Sequence, residues 1–259
     1  MLFMNNEKYL PSGHLKKRFC IFTSAGDNNN IAKLMEDKES RNWDLVVAFY
    51  GNSEIAYRNI AEKSDFTFII KGAKFQNLKS IVVSQPAILS GYDYIWVVDD
   101  DIEFTLGNAS ILFDVASFFD FDVSQPAFSS NGKISHEITR MVEKEKLVAR
   151  IVNFIEVTCP LFKAEALFDF LNIYDGKMAG WGVDWWFCNY LGSNKKAKFA
   201  IFDKIVVKNM HDSEKTPDGK REISQYMSDN DRIMQWEILK NNFHYKEFDH
   251  TVFFELSLP

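Results

Sequence analysis

The hydrophobic positions of this chain fall into short apolar runs that alternate with amphipathic stretches. Runs at 19–23, 44–50 and 66–70 consist largely of β-branched and aromatic residues. The intervening segments at 31–38 and 54–63 have the spacing of helices. Strands without a polar break are typical of a buried, mostly parallel sheet. Their alternation with helices gives a βαβαβ order, which predicts an α/β fold with helices flanking the sheet.

The same pattern continues towards the end of the chain. It predicts further strands at 94–98, 123–127, 151–162 and 199–207 and helices running through Leu89 and over 111–121, 164–171 and 231–241. The aromatic tail from Phe243 onward predicts an added edge strand. No internal repeat or low-complexity linker interrupts the pattern, so we expect one domain over residues 1–259.

One apolar run ends in a concentration of negative charge. The strand at 94–98 leads directly into Asp99, Asp100 and Asp101. Parallel α/β sheets bind ligands at the carboxyl ends of their strands, and alternation would point Asp99 and Asp101 the same way. Adjacent carboxylates repel each other unless a divalent cation lies between them. The triplet therefore predicts a metal site, with a solvated turn after the strand as the alternative.

A second informative stretch combines glycine, tryptophan and a carboxylate. Gly180 and Gly182 flank Trp181, which indicates an unusual backbone that presents an indole. Asp184 follows at the start of an aromatic helix, where the helix dipole favours negative charge. An aromatic face with a nearby carboxylate suits a sugar ring and its hydroxyls. The alternative is a helix-capping Asp184 beside core tryptophans.

Two further charged residues lie in otherwise apolar surroundings. Glu156 is in the middle of the run at 151–162, so it either faces water at a strand edge or belongs to a site. In a site it would bind an acceptor sugar or orient Arg140. Arg140 itself would reach a phosphate or an acceptor hydroxyl, or form a surface salt bridge.

Composition narrows the class of protein. The 259 residues are 46% hydrophobic and include 24 Phe, which indicates a globular protein. The net charge of −6 argues against nucleic-acid binding, which needs a basic surface. Cys20, Cys159 and Cys188 are widely spaced, which indicates free thiols in a reducing compartment. The start lacks a signal-peptide core and no apolar run is long enough to span a bilayer. We expect a cytoplasmic protein, with peripheral association at the inner face of the membrane left open.

The ordered set of motifs resembles a known family. Asp99–Asp101 after a hydrophobic strand resembles the D-x-D motif of GT-A-fold glycosyltransferases. Over about residues 65–215 the chain is similar to DUF707, a domain of unknown function with GT-A-like character. The segments that carry this resemblance are 123–127, 138–140, 157–162, 180–184 and the late His211. The resemblance implies a GT-A-like, Rossmann-like mixed sheet, mostly parallel and flanked by helices.

The resemblance also implies a set of site residues. Asp99, Asp101 and His211 would bind Mn²⁺ or Mg²⁺, and an imidazole ligand favours Mn²⁺. The nucleotide-sugar would be bound by Thr23, Ala25, Lys74, Asp99 and Asp100. The acceptor would be bound by Glu156, Trp181, Gly182 and Arg140. Asp184 would be the catalytic base. On the residues alone, Lys74 could be a surface lysine, the turn at 24–27 an ordinary βα turn and His211 a structural histidine.

These residues divide the expected domain by role. Residues from about 19 to 125 would bind the nucleotide-sugar and metal, those from about 126 to 215 would face the acceptor, and 216–259 would form a lid and tail. The function expected is transfer of a sugar from a nucleotide-sugar to a glycan or glycolipid, with inversion if Asp184 is the base. The alternatives are a sugar-nucleotide hydrolase or nucleotidyltransferase, or a degenerate GT-A-fold protein that only binds carbohydrate or nucleotide.

Overall fold

The structure, a computed structural model, describes residues 15–36, 39–215 and 227–259. Within these ranges ten strands form one mixed sheet. The strands are β1 (Phe19–Ala25), β2 (Trp43–Phe49), β3 (Phe66–Ile69), β4 (Tyr94–Asp99), β5 (Ile102–Leu106), β6 (Val123–Phe128), β7 (Leu147–Val152), β8 (Leu161–Lys163), β9 (Phe199–Asn209) and β10 (Val252–Ser257).

The sheet has a parallel half and a mixed half. Its strand order is β10-β7-β9-β6-β8-β4-β1-β2-β3, with β5 paired to β9 outside this path. Strands β3, β2, β1 and β4 run parallel to one another, as the βαβαβ pattern predicts. Beyond β4, the short β8 is antiparallel to both β4 and β6, whereas β6 and β9 are parallel. The expected mixed α/β sheet is confirmed.

Helices cover the sheet, and several begin at residues that suit helix starts. They are α1 (Ile31–Leu34), α2 (Glu54–Lys63), α3 (Lys74–Ser84), α4 (Pro86–Leu89), α5 (Ala109–Phe119), α6 (Ala164–Ile173), α7 (Val183–Phe187), α8 (Asp212–Lys215) and α9 (Asp229–Phe243). The side chains of Ser53, Asn108 and Ser228 accept hydrogen bonds from the first turns of α2, α5 and α9. A π-helical turn, Cys188–Asn194, continues α7.

Two apolar layers lie on opposite faces of the sheet. In β1, Phe19 and Ile21 belong to one layer and Cys20 and Phe22 to the other. This alternation follows from the two-residue period of a strand. Because both faces of the central strands are buried, their sequences read as continuous apolar runs.

One predicted strand is wrong. The run at 151–162 is two strands, β7 and β8, separated by an irregular segment at 153–160. Phe154 and Ile155 in that segment are fully buried, and the Ile155 amide donates to Cys188 Sγ at 3.4 Å. A loop that packs into the core is as apolar as a strand, so its hydrophobicity alone did not reveal it.

Two predicted helices are shorter than expected. α1 ends at Leu34 because Met35 is extended, and the Glu36 carboxylate then accepts a hydrogen bond from Trp43 Nε1 at 3.1 Å. The helix predicted through Leu89 breaks at Gln85, since Pro86 has no amide hydrogen with which to continue α3.

The remaining expectations concern the chain after β9. The predicted edge strand is confirmed as β10, which pairs antiparallel with β7. The expected lid falls largely at 216–226, outside the described residues. None of the described helices combines the length and apolar character needed to cross a bilayer.

Candidate functional site

The acidic triplet lies at the carboxyl edge of the parallel half of the sheet. Ser24 of β1 pairs in register with Asp99 at the end of β4. Asp100 and Asp101 form the turn that connects β4 to β5. All three aspartates are partly exposed at this edge, whereas the preceding part of β4 is buried. The carboxylates are therefore placed where a parallel sheet presents its ligand site.

Lys74 connects the triplet to the irregular segment at 153–160. Its ammonium lies 2.7 Å from Asp99 Oδ1 and donates to the carbonyl oxygens of Val157 at 2.7 Å and Thr158 at 2.9 Å. The Lys74 side chain is only 9% exposed, and that of Asp99 is 41% exposed. Lys74 is thus largely buried beside Asp99 and is not a surface lysine.

The turn after β1 is attached to Asp100 and Asp101. The Gly26 amide donates to Asp100 Oδ2 at 2.8 Å, and the Asn30 amide donates to the Asp100 carbonyl at 2.6 Å. Asn30 Nδ2 donates to the Asp101 carbonyl at 3.0 Å. Asp100 therefore fixes the backbone of the turn that the resemblance assigned to the nucleotide.

The two β1 residues predicted to bind the nucleotide-sugar lie at this end of the strand. Thr23 and Ala25 are fully buried, and Thr23 Oγ1 lies 3.4 Å from the Ser24 carbonyl, to which it donates. Because their side chains are buried, Thr23 and Ala25 support the site from the interior of the protein. Contact with a ligand would come through the neighbouring turn.

Asp184 lies on the other side of the Val157 segment. Its Oδ1 accepts from the Trp185 amide at 2.9 Å, and its Oδ2 accepts from the Val157 amide at 3.4 Å. The residue is 6% exposed. Burial raises the pKa of Asp184 to about 6, although the amide hydrogen bonds and Lys74 oppose the shift. The chain of contacts Asp99–Lys74–Val157–Asp184 brings the two predicted motifs together.

The backbone before Asp184 is held in an unusual conformation. Gly180 and Gly182 have φ values of 75° and 85°, as the two glycines predicted. Gly182 packs against α9, where an added Cβ would lie 2.8 Å from Trp236 Cβ. Trp181 between them is 47% exposed. The indole of Trp181 is therefore accessible to a ligand.

Glu156 is buried beside this cluster. It is 3% exposed, and its Oε1 accepts from Thr158 Oγ1 at 2.7 Å. Its own amide donates to Gln125 Oε1 at 2.7 Å. Burial raises the pKa of Glu156 to about 7, and the negative charge of Asp184 adds to the increase. Glu156 is therefore buried and does not face water at a strand edge. Its role in the site stays a prediction.

Arg140 does not join this cluster. Its guanidinium forms two hydrogen bonds to the exposed Glu137, at 2.8 and 2.6 Å. The suggestion that Glu156 orients Arg140 is wrong, because the hydrogen bonds of Glu156 go to other partners. The surface salt bridge, which the sequence left open for Arg140, is what the structure contains.

His211 follows β9 close to the triplet in topology. Ile102 of β5 pairs antiparallel with Asn209 of β9, so His211 lies two residues beyond that pair, towards Asp101. The side chain of His211 is exposed, and its amide donates to Glu214 Oε2 at 2.7 Å.

The acidic triplet has donor atoms that suit a metal ion, but it does not form a complete ligand set. In the part of the chain that the structure describes, no three His, Cys, Asp or Glu side chains converge to hold a metal ion by themselves. The donor chemistry still fits a hard divalent cation, because Asp99 and Asp101 offer carboxylates at an open edge. Such cations are often bound by one or two carboxylates plus substrate phosphates. The ligand set Asp99, Asp101 and His211 stays a prediction.

Two buried amides of the site were missed by sequence reasoning. Asn77 Nδ2 donates to Ser24 Oγ at 3.0 Å, and Gln125 accepts from Glu156. Both side chains are at most 1% exposed. Gln125 could have been recognised as Glu156 was, because it is a polar residue inside an apolar strand. Asn77 could not, because a polar residue on an amphipathic helix is expected.

The fold is similar to solved glycosyltransferase structures. Residues 1–349 of S. aureus TarS match with a TM-score of 0.53 and 14% identity, over 88% of this chain and 72% of that chain. GalNAc-T7, crystallised with UDP, GalNAc and Mn²⁺, matches with a TM-score of 0.57 and 9% identity. That alignment covers 86% of this chain and 48% of GalNAc-T7, so the chain spans about half of that neighbour. Identities this low show the fold alone, and the fold is GT-A.

Comparison with curated proteins found no match to the sequence. The profile of the family described as "Protein of unknown function (DUF707)" matches residues 3–249. Since this match spans most of the sequence, the chain belongs to the DUF707 family.

Proposed function

We propose that this protein is a nucleotide-sugar-dependent glycosyltransferase with Asp184 as its catalytic base. The observation that supports this most is the contact chain from Asp99 through Lys74 and Val157 to Asp184. It joins an acidic strand end, suited to a diphosphate and its cation, to a buried carboxylate beside an exposed tryptophan. The GT-A fold of the structural neighbours supports the same reaction class.

The donor would bind at the edge formed by β1 and β4. The Gly26 turn, fixed by Asp100, would bind the nucleoside. The Lys74 ammonium would act on the diphosphate as a nearby positive charge, because its three N–H groups already contact Asp99, Val157 and Thr158. Thr23 and Ala25 would support that turn from the buried side. Asp99 and Asp101, with His211, would hold Mn²⁺ or Mg²⁺. A cation bound there would neutralise charge on the diphosphate as the glycosidic bond breaks.

Asp184 would activate the acceptor. Its carboxylate would take the proton from an acceptor hydroxyl, whose oxygen forms a bond to the anomeric carbon. The bond from that carbon to the diphosphate breaks at the same time, and the nucleoside diphosphate leaves with the bonding electrons. A pKa of about 6 keeps Asp184 ionised at pH 7 while leaving it a stronger base than an exposed aspartate. Direct displacement of this kind inverts the anomeric centre.

The acceptor would lie against Trp181. The exposed indole would pack on the apolar face of a sugar ring, and the left-handed backbone at Gly182 would hold it beside Asp184. Glu156, which is buried, would act indirectly by holding the 156–158 segment in position. Arg140, which is partly exposed and lies outside the cluster, would contact only a longer acceptor.

One observation favours a second candidate. The ammonium of Lys74 neutralises the Asp99 carboxylate at the strand end without any metal. A GT-A-fold protein that binds nucleotide in this way, with no metal and no transfer, is the alternative. It predicts nucleotide binding that EDTA does not change.

The transfer reaction is tested by release of nucleoside diphosphate from a panel of nucleotide-sugars, with glycan and glycolipid acceptors. Asp184→Asn should slow release by roughly 10²–10⁴-fold, since the amide cannot accept the proton. Asp114→Asn, a change of the same type at an exposed aspartate on α5, is the matched control and should leave release unchanged. Equal release by both variants would contradict the assignment of Asp184.

A further inference from the structure

A cavity of about 390 Å³ lies between α9 and the segment that follows α6. The volume is within the roughly 300–1,000 Å³ typical of sites for small molecules. Its apolar wall consists of Ile173, Met178, Trp186, Ile238, Leu239 and Phe243. None of the residues assigned above to donor binding or catalysis lines it.

Polar groups also line this α9 cavity. They are Asp175, Lys177, Gln235 and Asn242. Among the described residues, Gln235 Oε1 is buried and has no hydrogen-bond partner. A buried acceptor left in this state destabilises the protein, so a ligand that donates a hydrogen bond would be favoured.

The combination of groups suits a sugar better than a hydrocarbon. Phe243, at the end of α9, is 58% exposed and offers a ring face for the C–H face of a pyranose. Gln235, Asn242 and Asp175 offer donors and acceptors for its hydroxyls. A hydrocarbon chain would leave the buried Gln235 oxygen without a partner. The chemistry of the lining therefore indicates a saccharide.

Two contacts connect the residues that line the cavity to elements of the candidate active site. Gln76, two residues after Lys74 on α3, donates to the Lys177 carbonyl at 2.8 Å. On α9, Trp236 contacts Gly182, and the adjacent Gln235 faces the cavity. Helix α9 thus connects the lining of the cavity to Gly182, the residue between Trp181 and the helix that carries Asp184.

We propose that the α9 cavity is a saccharide-binding subsite that holds a sugar unit of the acceptor other than the unit that reacts. Its assignment to the acceptor rests on the proposed transferase function. The binding of a saccharide at this position does not depend on that function.

Saturation-transfer-difference NMR of the full chain would test the subsite. The probes are glucose, galactose, N-acetylglucosamine, maltose, lactose and cellobiose, each with EDTA present and nucleotide absent. We expect at least one to bind. Phe243→Ala and Gln235→Leu should each weaken binding by about tenfold, the equivalent of ~1.4 kcal/mol. Phe254→Ala is the matched control, because Phe254 is a 61% exposed phenylalanine on β10 and does not line the cavity.

Three results would overturn the proposal: no binding of any of the saccharides, binding unchanged in both cavity variants, or binding of decanoate in their place. Thermal unfolding of each variant checks that it is folded. If a saccharide binds through Phe243 but no nucleotide-sugar is turned over, the transferase proposal fails and the saccharide site stands.

Discussion

The ammonium of Lys74 lies 2.7 Å from Asp99 Oδ1 and 2.7 Å from the Val157 carbonyl. One side chain at the start of α3 thereby joins the end of β4 to the segment that also contacts Asp184. Lysine is suited to this position because an ammonium can donate three hydrogen bonds at once. Lys74 therefore links the acidic strand end to the segment that contacts Asp184.

Replacement of Lys74 tests this coupling. Lys74→Met would remove the donor to two carbonyl groups and leave Asp99 without its cation. We expect the free energy of unfolding to fall by about 1–3 kcal/mol, measured by urea denaturation. Lys79→Met on the same helix is the control, since Lys79 donates to one carbonyl, that of Leu171. An equal loss in both variants would contradict a special role for Lys74.

The pH dependence of transfer should report Asp184. Because the pKa of Asp184 is raised to about 6, the rate should fall as the pH drops through 6 and the base becomes protonated. Asp184→Asn should lower kcat by roughly 10²–10⁴-fold and remove this acidic limb. The measurement is a pH profile of kcat/KM for both proteins. An acidic limb that persists in Asp184→Asn would assign the base to another group.

Glu156 should make stability depend on pH in one direction. Its pKa is raised from 4.5 to about 7, so between these values the folded protein retains a proton that the unfolded chain releases. The free energy of unfolding should therefore decrease as the pH rises from 4.5 to 7. Glu156→Gln removes this loss. The free energy of unfolding of the variant should therefore increase relative to that of the wild type between pH 5 and pH 8. Glu165→Gln, at an exposed glutamate, should show no such gain.

His136 should make the free energy of unfolding depend on pH in the direction opposite to that of Glu156. It lies among Phe154, Trp185 and His250, with its ring centroid 5.1 Å from that of His250. Burial lowers the pKa of His136 from 6.5 to about 4, and His250 adds to the decrease.

Between pH 4 and 6.5 the unfolded chain binds a proton that the folded protein excludes. The free energy of unfolding should thus rise with pH across this window. His136→Phe should flatten the rise in chemical denaturation, with pH 8 as the reference condition at which His136 is neutral in both states. An unchanged slope would show that the pKa of His136 is not lowered.

Gly182 allows a test of the packing between the site and α9. Gly182→Ala places a methyl group against Trp236 at a residue whose φ is 85°. Gly91→Ala is the matched control, because Gly91 has a φ of 83° with nothing within 4 Å of an added Cβ. We expect Gly182→Ala to cost about 1–3 kcal/mol more than Gly91→Ala, the usual penalty of overpacking. Equal costs would mean that backbone strain alone acts at Gly182.

The parallel half of the fold could be predicted from the sequence because its strands are short, apolar and separated by helical spacing. The position of Asp99–Asp101 at a strand end followed from the same pattern. The segment at 153–160 could not be recognised, since Phe154 and Ile155 are as buried as strand residues. Nor could the contact between Lys74 and Val157, because 83 residues separate them and only the sheet order brings them together.

The most direct test of the proposed function is thermal stability against a panel of nucleoside diphosphates and nucleotide-sugars, with Mn²⁺ and with EDTA. Specific binding stabilises the folded state by mass action, by about 2.7 kcal/mol at a hundredfold excess over Kd. We predict a Mn²⁺-dependent rise in Tm with one nucleoside diphosphate and its sugar conjugate, lost in Asp101→Ala. No rise with any nucleotide, in a protein that unfolds cooperatively, would contradict the assignment as a nucleotide-sugar glycosyltransferase.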